Sequence, residues 1–248
     1  MKKLSQRGTD INLQSGPQMR EYEAITARIA RDAPGSMLDW GCGWGQVSHL
    51  LKRAGLEVTS FDYRPMAGED GIRRLERFPD VEAYISATDP RKLPYDDAQF
   101  DAVLSCGVLE HVVDPDESLE ELKRVLRPGG TLYVYKLPNR FSYLEWIARR
   151  LAGRGLYYHG RDPFDALYDL RSARDLVRRH GFVVRELRRA NMVPLTLDGG
   201  RFQEHAEAIW AINRGLSRVP GLNVLATNVE LVAVAPARLS RRERQRSR

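Results

Sequence analysis

The stretch Leu38-Asp39-Trp40-Gly41-Cys42-Gly43-Trp44-Gly45-Gln46 constrains this chain more than any other part of it. It lies between a short apolar run at 36–39 and an amphipathic segment through Val47, Leu50 and Leu51 that stops at Gly55. Three glycines at alternate positions let a backbone turn tightly from strand into helix, and let a ligand lie against it without interference from Cβ atoms. A second strand-like run, 56–61, ends at Asp62. That places a carboxylate at about the ~20-residue distance where such a group meets ribose hydroxyls. Loop, flanking elements and downstream acid all point to a nucleotide-like ligand.

The rest of the chain continues the alternation of strand and helix. Met19, Tyr22, Ala24, Ile25 and Ile29 predict a helix over 17–31, ended by Pro34-Gly35. Further strands are expected at 81–86, 100–105 and 131–137. A helix over 115–126, with Leu119, Leu122, Val125 and Leu126 on one face, is closed by Pro128-Gly129-Gly130. Residues 141–151 read as helical, and 162–180 contain another helix, with Asp162-Pro163 as a cap-and-first-residue start and Gly181 as its end. Strands at 182–187 and 230–235 flank a helix at 204–216. The expected fold is α/β: a doubly wound, mostly parallel seven-stranded sheet, finished by an antiparallel strand. One domain then covers 17–237 with an insertion at about 138–165, between a flexible N-terminus (1–16) and a basic disordered tail (238–248).

Charge and composition narrow the partners. The formal net charge is +6, but the last eleven residues hold six arginines and one glutamate, so the remainder is close to neutral. Nucleic-acid binding calls for a basic face on the fold rather than a basic tail, and no nucleic acid is expected. No apolar run approaches the roughly 20 residues of a spanning helix. The start, MKKLSQRGTDINLQSG, has no apolar centre and does not read as a secretory signal. Two cysteines cannot build a disulfide framework, and a cytoplasmic address is the expectation. Arg outnumbers Lys 33 to 6, a bias that points to a GC-rich bacterial genome.

Spacing within the loop separates the nucleotide classes. A dinucleotide turn has G-x-G-x-x-G, and here Gln46 stands where its last glycine or alanine belongs, which argues against NAD and FAD. The G-x-G-x-G run instead resembles the first motif of the class I S-adenosylmethionine-dependent methyltransferases, small-molecule type, similar to those of quinone biosynthesis. Asp89 with Leu93-Pro94, Asp96, Phe100-Asp101, Leu109-Glu110-His111-Val112, Leu122 through Arg127-Pro128-Gly129-Gly130, and Gly181-Phe182 follow in that family's order. The similarity is tight over 20–137 and loose over 165–235.

The resemblance implies a Rossmann-like methyltransferase fold, S-adenosylmethionine as cofactor and S-adenosylhomocysteine as product. It implies that Asp39 and the backbone at Gly41, Gly43 and Gly45 hold the methionine part and the sugar. Asp62 would accept from both ribose hydroxyls, Tyr63 would cover the adenine face, Asp89 would accept from the adenine amino group, and Cys106 would line the methionine end. One departure stands out. The family commonly offers a backbone N–H to adenine just after this Asp, and here the residue is Pro90, which has none.

On the acceptor side, methyl transfer to oxygen of a small molecule, glycan or lipid-linked intermediate is the adopted reading. Transfer to nitrogen or carbon is the alternative, and a non-catalytic cofactor-binding module is the rival outside enzymes. The chain lacks the Asn/Asp-Pro-Pro-Tyr/Phe motif of amino-methylating nucleic-acid enzymes. His111 has two readings, a general base for a hydroxyl acceptor and a histidine that packs under the insertion and bonds a backbone carbonyl. Some quinone-pathway relatives hold a divalent metal with a second acid three residues before Glu110, where this chain has Gly107, and no metal is expected. The insertion carries Phe141, Tyr143, Leu144, Trp146, Ile147 and Leu151 beside Arg149, Arg150 and Arg154. A lid that packs on the sheet is favoured for it over contact of 141–154 with an anionic membrane surface.

Overall fold

A computed structural model describes residues 16–32, 35–63, 78–81, 92–152, 166–193, 195 and 203–237. Helix α1 (Gly16–Asp32) leads into strand β1 (Ser36–Trp40), helix α2 (Gln46–Arg53) and strand β2 (Glu57–Phe61). Strand β3 (Phe100–Cys106), helix α3 (Pro115–Val125), strand β4 (Leu126–Pro138) and helix α4 (Tyr143–Ala152) follow. Helix α5 (Leu170–Arg179), strand β5 (Val183–Ala190), helix α6 (Ala206–Leu216) and strand β6 (Asn228–Val234) complete the described elements.

The six strands form one sheet in the order β2-β1-β3-β4-β6-β5. β2, β1, β3 and β4 run parallel, and β6 lies antiparallel between β4 and β5. Side-chain alternation along the strands feeds two cores. Leu38, Trp40, Val103, Leu132 and Val134 pack with Leu119, Leu122 and Val125 of α3 and Ala173, Leu176 and Val177 of α5. Met37, Ala102, Leu104, Tyr133 and Tyr135 pack with Tyr22, Ile25 and Ile29 of α1 and Val47 and Leu51 of α2. Helices therefore cover both faces, as a doubly wound sheet requires. The seventh expected strand, 81–86, falls almost wholly outside the described residues, as do the two termini and 153–165 of the insertion.

Local chemistry explains the helix ends. The Asp114 side chain accepts from the N–H groups of Asp116 at 2.9 Å and Glu117 at 3.0 Å, with Pro115 opening α3. Lys123 and Arg124 sit in its last turn, where positive charge meets the negative end of the helix dipole.

Two expectations need correcting. Pro128-Gly129-Gly130 does not close α3, because the helix ends at Val125 and Leu126 is already extended and paired with Phe100. The four residues after it bulge out before Thr131 resumes pairing with Ala102. The helix expected within 162–180 starts at Leu170. Asp169 caps it by accepting from Arg171 and Ser172 N–H, both at 2.8 Å, while Ser172 Oγ accepts in return from Asp169 N–H. That reciprocal pair satisfies two end groups at once. Asp162-Pro163 lies outside the described residues.

Candidate functional site

The three glycines of the β1–α2 loop all adopt positive φ, yet they do different things. A Cβ on Gly41 would lie 2.4 Å from Val108 Cγ2, so this glycine lets the loop after β3 close against the loop after β1. Gly45, at φ 85°, starts α2 and packs on Val81. Gly43 has nothing within 4 Å of an added Cβ. It is the glycine whose bare face is turned toward open space. Gly41 and Cys42 N–H both donate to Phe61 O, at 2.8 and 2.9 Å, which ties the loop to the end of β2.

A cavity of about 230 Å³ opens here, at the carboxyl ends of β1 and β3. Asp39, Gly41, Gly43, Trp44, Gln46 and Cys106 line it, and Tyr22 of α1 closes one side. A larger depression of about 650 Å³ between α3 and α5 is a charged surface hollow. Its Asp116 and Glu120 are engaged by Arg179, His180 and Lys123, so it offers no comparable binding groups.

Asp39 is buried, and its Oδ2 accepts from Ser48 Oγ at 2.6 Å, which in turn accepts from Ser60 Oγ at 2.8 Å. Burial raises its carboxyl to about 6, against the lowering effect of the Ser48 bond. A raised carboxyl contributes stability that is fully present below the ordinary aspartate range and is lost as pH rises through about 6. The charged form therefore costs on the order of 3 kcal/mol at neutral pH. Without ligand, Asp39→Asn should gain stability relative to wild type by about that amount between pH 4 and pH 8. A difference in melting temperature that does not change with pH would show that this carboxyl titrates normally.

Asp62 Oδ2 accepts from the Gly43 N–H at 2.9 Å, so the acid at the end of β2 fixes the ligand-facing turn as well as facing it. Tyr63 stands edge-on to Phe61, with ring centroids 5.0 Å apart, beside that acid. Cys106 ends β3 at the cavity wall, and burial pushes its thiol well above the usual range. Both cysteines are free. Asp89 lies outside the described residues.

His111 sits on the turn that follows β3, where its N–H donates to Val108 O at 2.9 Å. Its ring is 38% exposed, with Nε2 3.8 Å from Oε1 of the buried Glu110. Gly107 faces that same carboxylate, since an added Cβ would lie 3.7 Å from Glu110 Oε1. Among the described residues, no group of three His, Cys, Asp or Glu side chains could hold a metal ion.

One cluster escaped sequence reasoning. Lys136, near the end of β4, has φ 65°, a conformation that a lysine seldom adopts. Its ammonium lies 3.3 Å from Glu21 Oε2 and 4.7 Å from the ring centre of Tyr22. Burial works against its charge, and Glu21 with Tyr22 outweighs that and holds it above the ordinary lysine range. Asn191, also at φ 65°, donates to Glu21 and, at 3.0 Å, to Asn228 Oδ1. Helix α1, the end of β4 and the last two strands thus meet in a polar seam beside Tyr22 and the cavity. The only sequence signal was Tyr22 itself, on the apolar stripe of α1.

Alanine should separate the glycines. Gly41→Ala drives a Cβ into Val108 at a positive φ and is expected to destabilise the fold by at least about 2 kcal/mol. Gly43→Ala meets no atom and should cost about 1 kcal/mol of stability, with its main effect on ligand affinity. Equal losses of melting temperature in the two variants would contradict this division.

A glycine turn after the first strand of a parallel sheet, an acid after the next strand and a cavity at the strands' carboxyl ends define a Rossmann-like α/β domain. Residues 38–134 match the family model described as "Methyltransferase domain". Over that stretch the chain is similar to methyltransferase domains. It is 39% identical over 112 residues to a demethylmenaquinone methyltransferase of Clavibacter sepedonicus, covering 45% of this chain and 44% of that protein. It is 35% identical over 127 residues to a ubiquinone biosynthesis O-methyltransferase of Caulobacter vibrioides, covering 46% and 48%. The chain spans about half the length of the curated relatives it matches. A solved SAM-dependent methyltransferase of Archaeoglobus fulgidus superposes with a TM-score of 0.53 at 21% identity, over 86% of this chain and 94% of that one. That likeness speaks for the fold.

Proposed function

We propose that this protein transfers the methyl group of S-adenosylmethionine to an oxygen of a small molecule, a glycan or a lipid-linked intermediate. The observation that carries the reading is the Asp62–Gly43 tie at the mouth of the glycine-lined cavity, inside a stretch that matches the methyltransferase family. The site fits the cofactor: Gly43 leaves a face that a side chain would fill, and Asp62 stands beside it as an acceptor for hydroxyls. When bound, S-adenosylmethionine supplies an electrophilic methyl on a good leaving group.

The chain's own residues have three tasks in such a reaction. Asp39, Asp62 and the loop backbone bind and orient the donor, which removes most of the entropic barrier to an in-line displacement. Tyr22 and Cys106 wall the cavity on its acceptor side and exclude water. His111 takes the proton from an acceptor hydroxyl, with Glu110 Oε1 3.8 Å from its Nε2. The two relatives named above carry names from quinone chemistry, which supports a small-molecule acceptor.

Calorimetry tests the reading. S-adenosylmethionine and S-adenosylhomocysteine should both bind, and NAD should not. Tight NAD binding with no response to either sulfur ligand would refute it.

A further inference from the structure

Helix α4, which leaves the carboxyl end of β4, turns three large apolar side chains to solvent, while Tyr143 and Leu144 are half-buried. Trp146 is 67% and Leu151 82% exposed, and Phe141 and Ile147 are exposed with them. Among the described side chains of α4, the buried one is charged: Glu145, whose Oε1 accepts from Arg149 Nε at 2.7 Å. The packing expected for this segment is therefore not what these exposed residues do. A cluster of this size on one short helix marks a binding surface.

Two features say what covers it. Arg149 and Arg150 occupy the last turn, and the half-exposed Arg140, 3.4 Å from Asp169 Oδ2, stands just before the helix. Guanidinium groups interleaved with Trp, Leu and Phe are the make-up of a helix that lies in the headgroup layer of an anionic bilayer. The root of the helix is also anchored. Asn139 Nδ2 donates to Val224 O at 2.9 Å and Ala226 O at 2.6 Å, and Tyr168 N–H donates to Pro138 O at 2.9 Å. The surface is thus held at the carboxyl edge of the sheet, the edge on which the cavity opens. Among the described residues, no helix is long and apolar enough to cross a membrane.

A second copy of the chain fits less well. Such a copy would have to offer acids to Arg149 and Arg150. The acids of α3 that could face them are engaged within the chain, Asp116 and Glu120 as above and Glu121 by Arg124.

We propose that α4 docks this protein on an anionic lipid surface and so presents the cavity edge to an acceptor carried in the bilayer. The acceptor half of that statement rests on the methyl-transfer reading; the docking half does not.

The test is co-sedimentation of the full chain with vesicles of equal parts phosphatidylglycerol and phosphatidylcholine, and with phosphatidylcholine alone. Calorimetry with S-adenosylhomocysteine is run on the same samples. The anionic vesicles should bind at least about tenfold more tightly, and added salt should weaken that binding. Trp146→Ser combined with Leu151→Ser should lower it by about tenfold or more, and Arg150→Glu by about fivefold or more. All variants should bind S-adenosylhomocysteine as wild type does, since the altered side chains are exposed. No binding, equal binding to both vesicles, or undiminished binding by the variants overturns the proposal. So does a dimer in sedimentation velocity that the same substitutions abolish, which would assign the face to a second copy. Anionic-vesicle binding by a wild type that takes up no S-adenosylhomocysteine would support the docking surface and refute the methyl-transfer reading alone.

Discussion

Replacing His111 by alanine is expected to lower kcat for a hydroxyl acceptor by roughly 10²–10⁴-fold while affinity for S-adenosylhomocysteine holds. The expectation rests on how the turn after β3 is built. Val108 packs against Gly41, and His111 N–H closes the turn on Val108 O, so the imidazole is carried by a loop locked to the cofactor loop. The competing role is a clasp for this turn. Yet the turn is already clasped by main chain, through Ala166 N–H donating to Glu110 O at 3.0 Å. Loss of the ring leaves that bond in place, and stability should change by no more than about 1 kcal/mol. Retention of more than a tenth of wild-type turnover would remove the base from the mechanism and leave alignment as the source of rate.

Asp62→Ala should have the next largest effect, on binding rather than turnover. Two losses combine: acceptor bonds to ribose hydroxyls, and the 2.9 Å tie that fixes Gly43 N–H. A hydrogen bond to a charged acceptor is worth about 1.5–3 kcal/mol, which corresponds to a cofactor affinity lower by roughly ten- to a hundredfold. Asp62→Asn keeps one acceptor oxygen and should fall between the two. The melting temperature should hardly move, because Asp62 follows β2 and contributes no side chain to either core. Undiminished affinity in Asp62→Ala would place ribose recognition elsewhere.

Much of this architecture was legible because its signals are local. Met37 to Trp40 and Ala102 to Leu104 are buried runs, and Asp114-Pro115 with Leu119, Leu122 and Val125 spells out a capped amphipathic helix. Leu126 misled because it continues the helical stripe, four residues after Leu122, while its partner Phe100 is remote in sequence. Asp162 read as the cap of α5, but it is Asp169 that has Ser three residues later to complete the box. Amphipathicity showed that α4 has an apolar side but not that this side faces outward. The Glu21–Tyr22–Lys136–Asn191 cluster was illegible in principle, since it joins three distant segments through two left-handed residues.

The position of β6 also sets an order of events during synthesis. β4 and β5 both pair with β6 and not with each other, so each keeps an unpaired edge until the ribosome has added Asn228–Val234. Open edges of this kind recruit other chains, which makes the nascent protein vulnerable for the whole interval between β4 and β6. The cofactor half has no such wait, since β1, α2 and β2 are neighbours in sequence and in space. The Lys136–Asn191 seam is different, because Asn228 Nδ2 donates to Lys136 O and Asn228 Oδ1 accepts from Asn191. A growing chain can therefore shape its glycine loop early, but it completes the seam beside Tyr22 only when its last strand slides in.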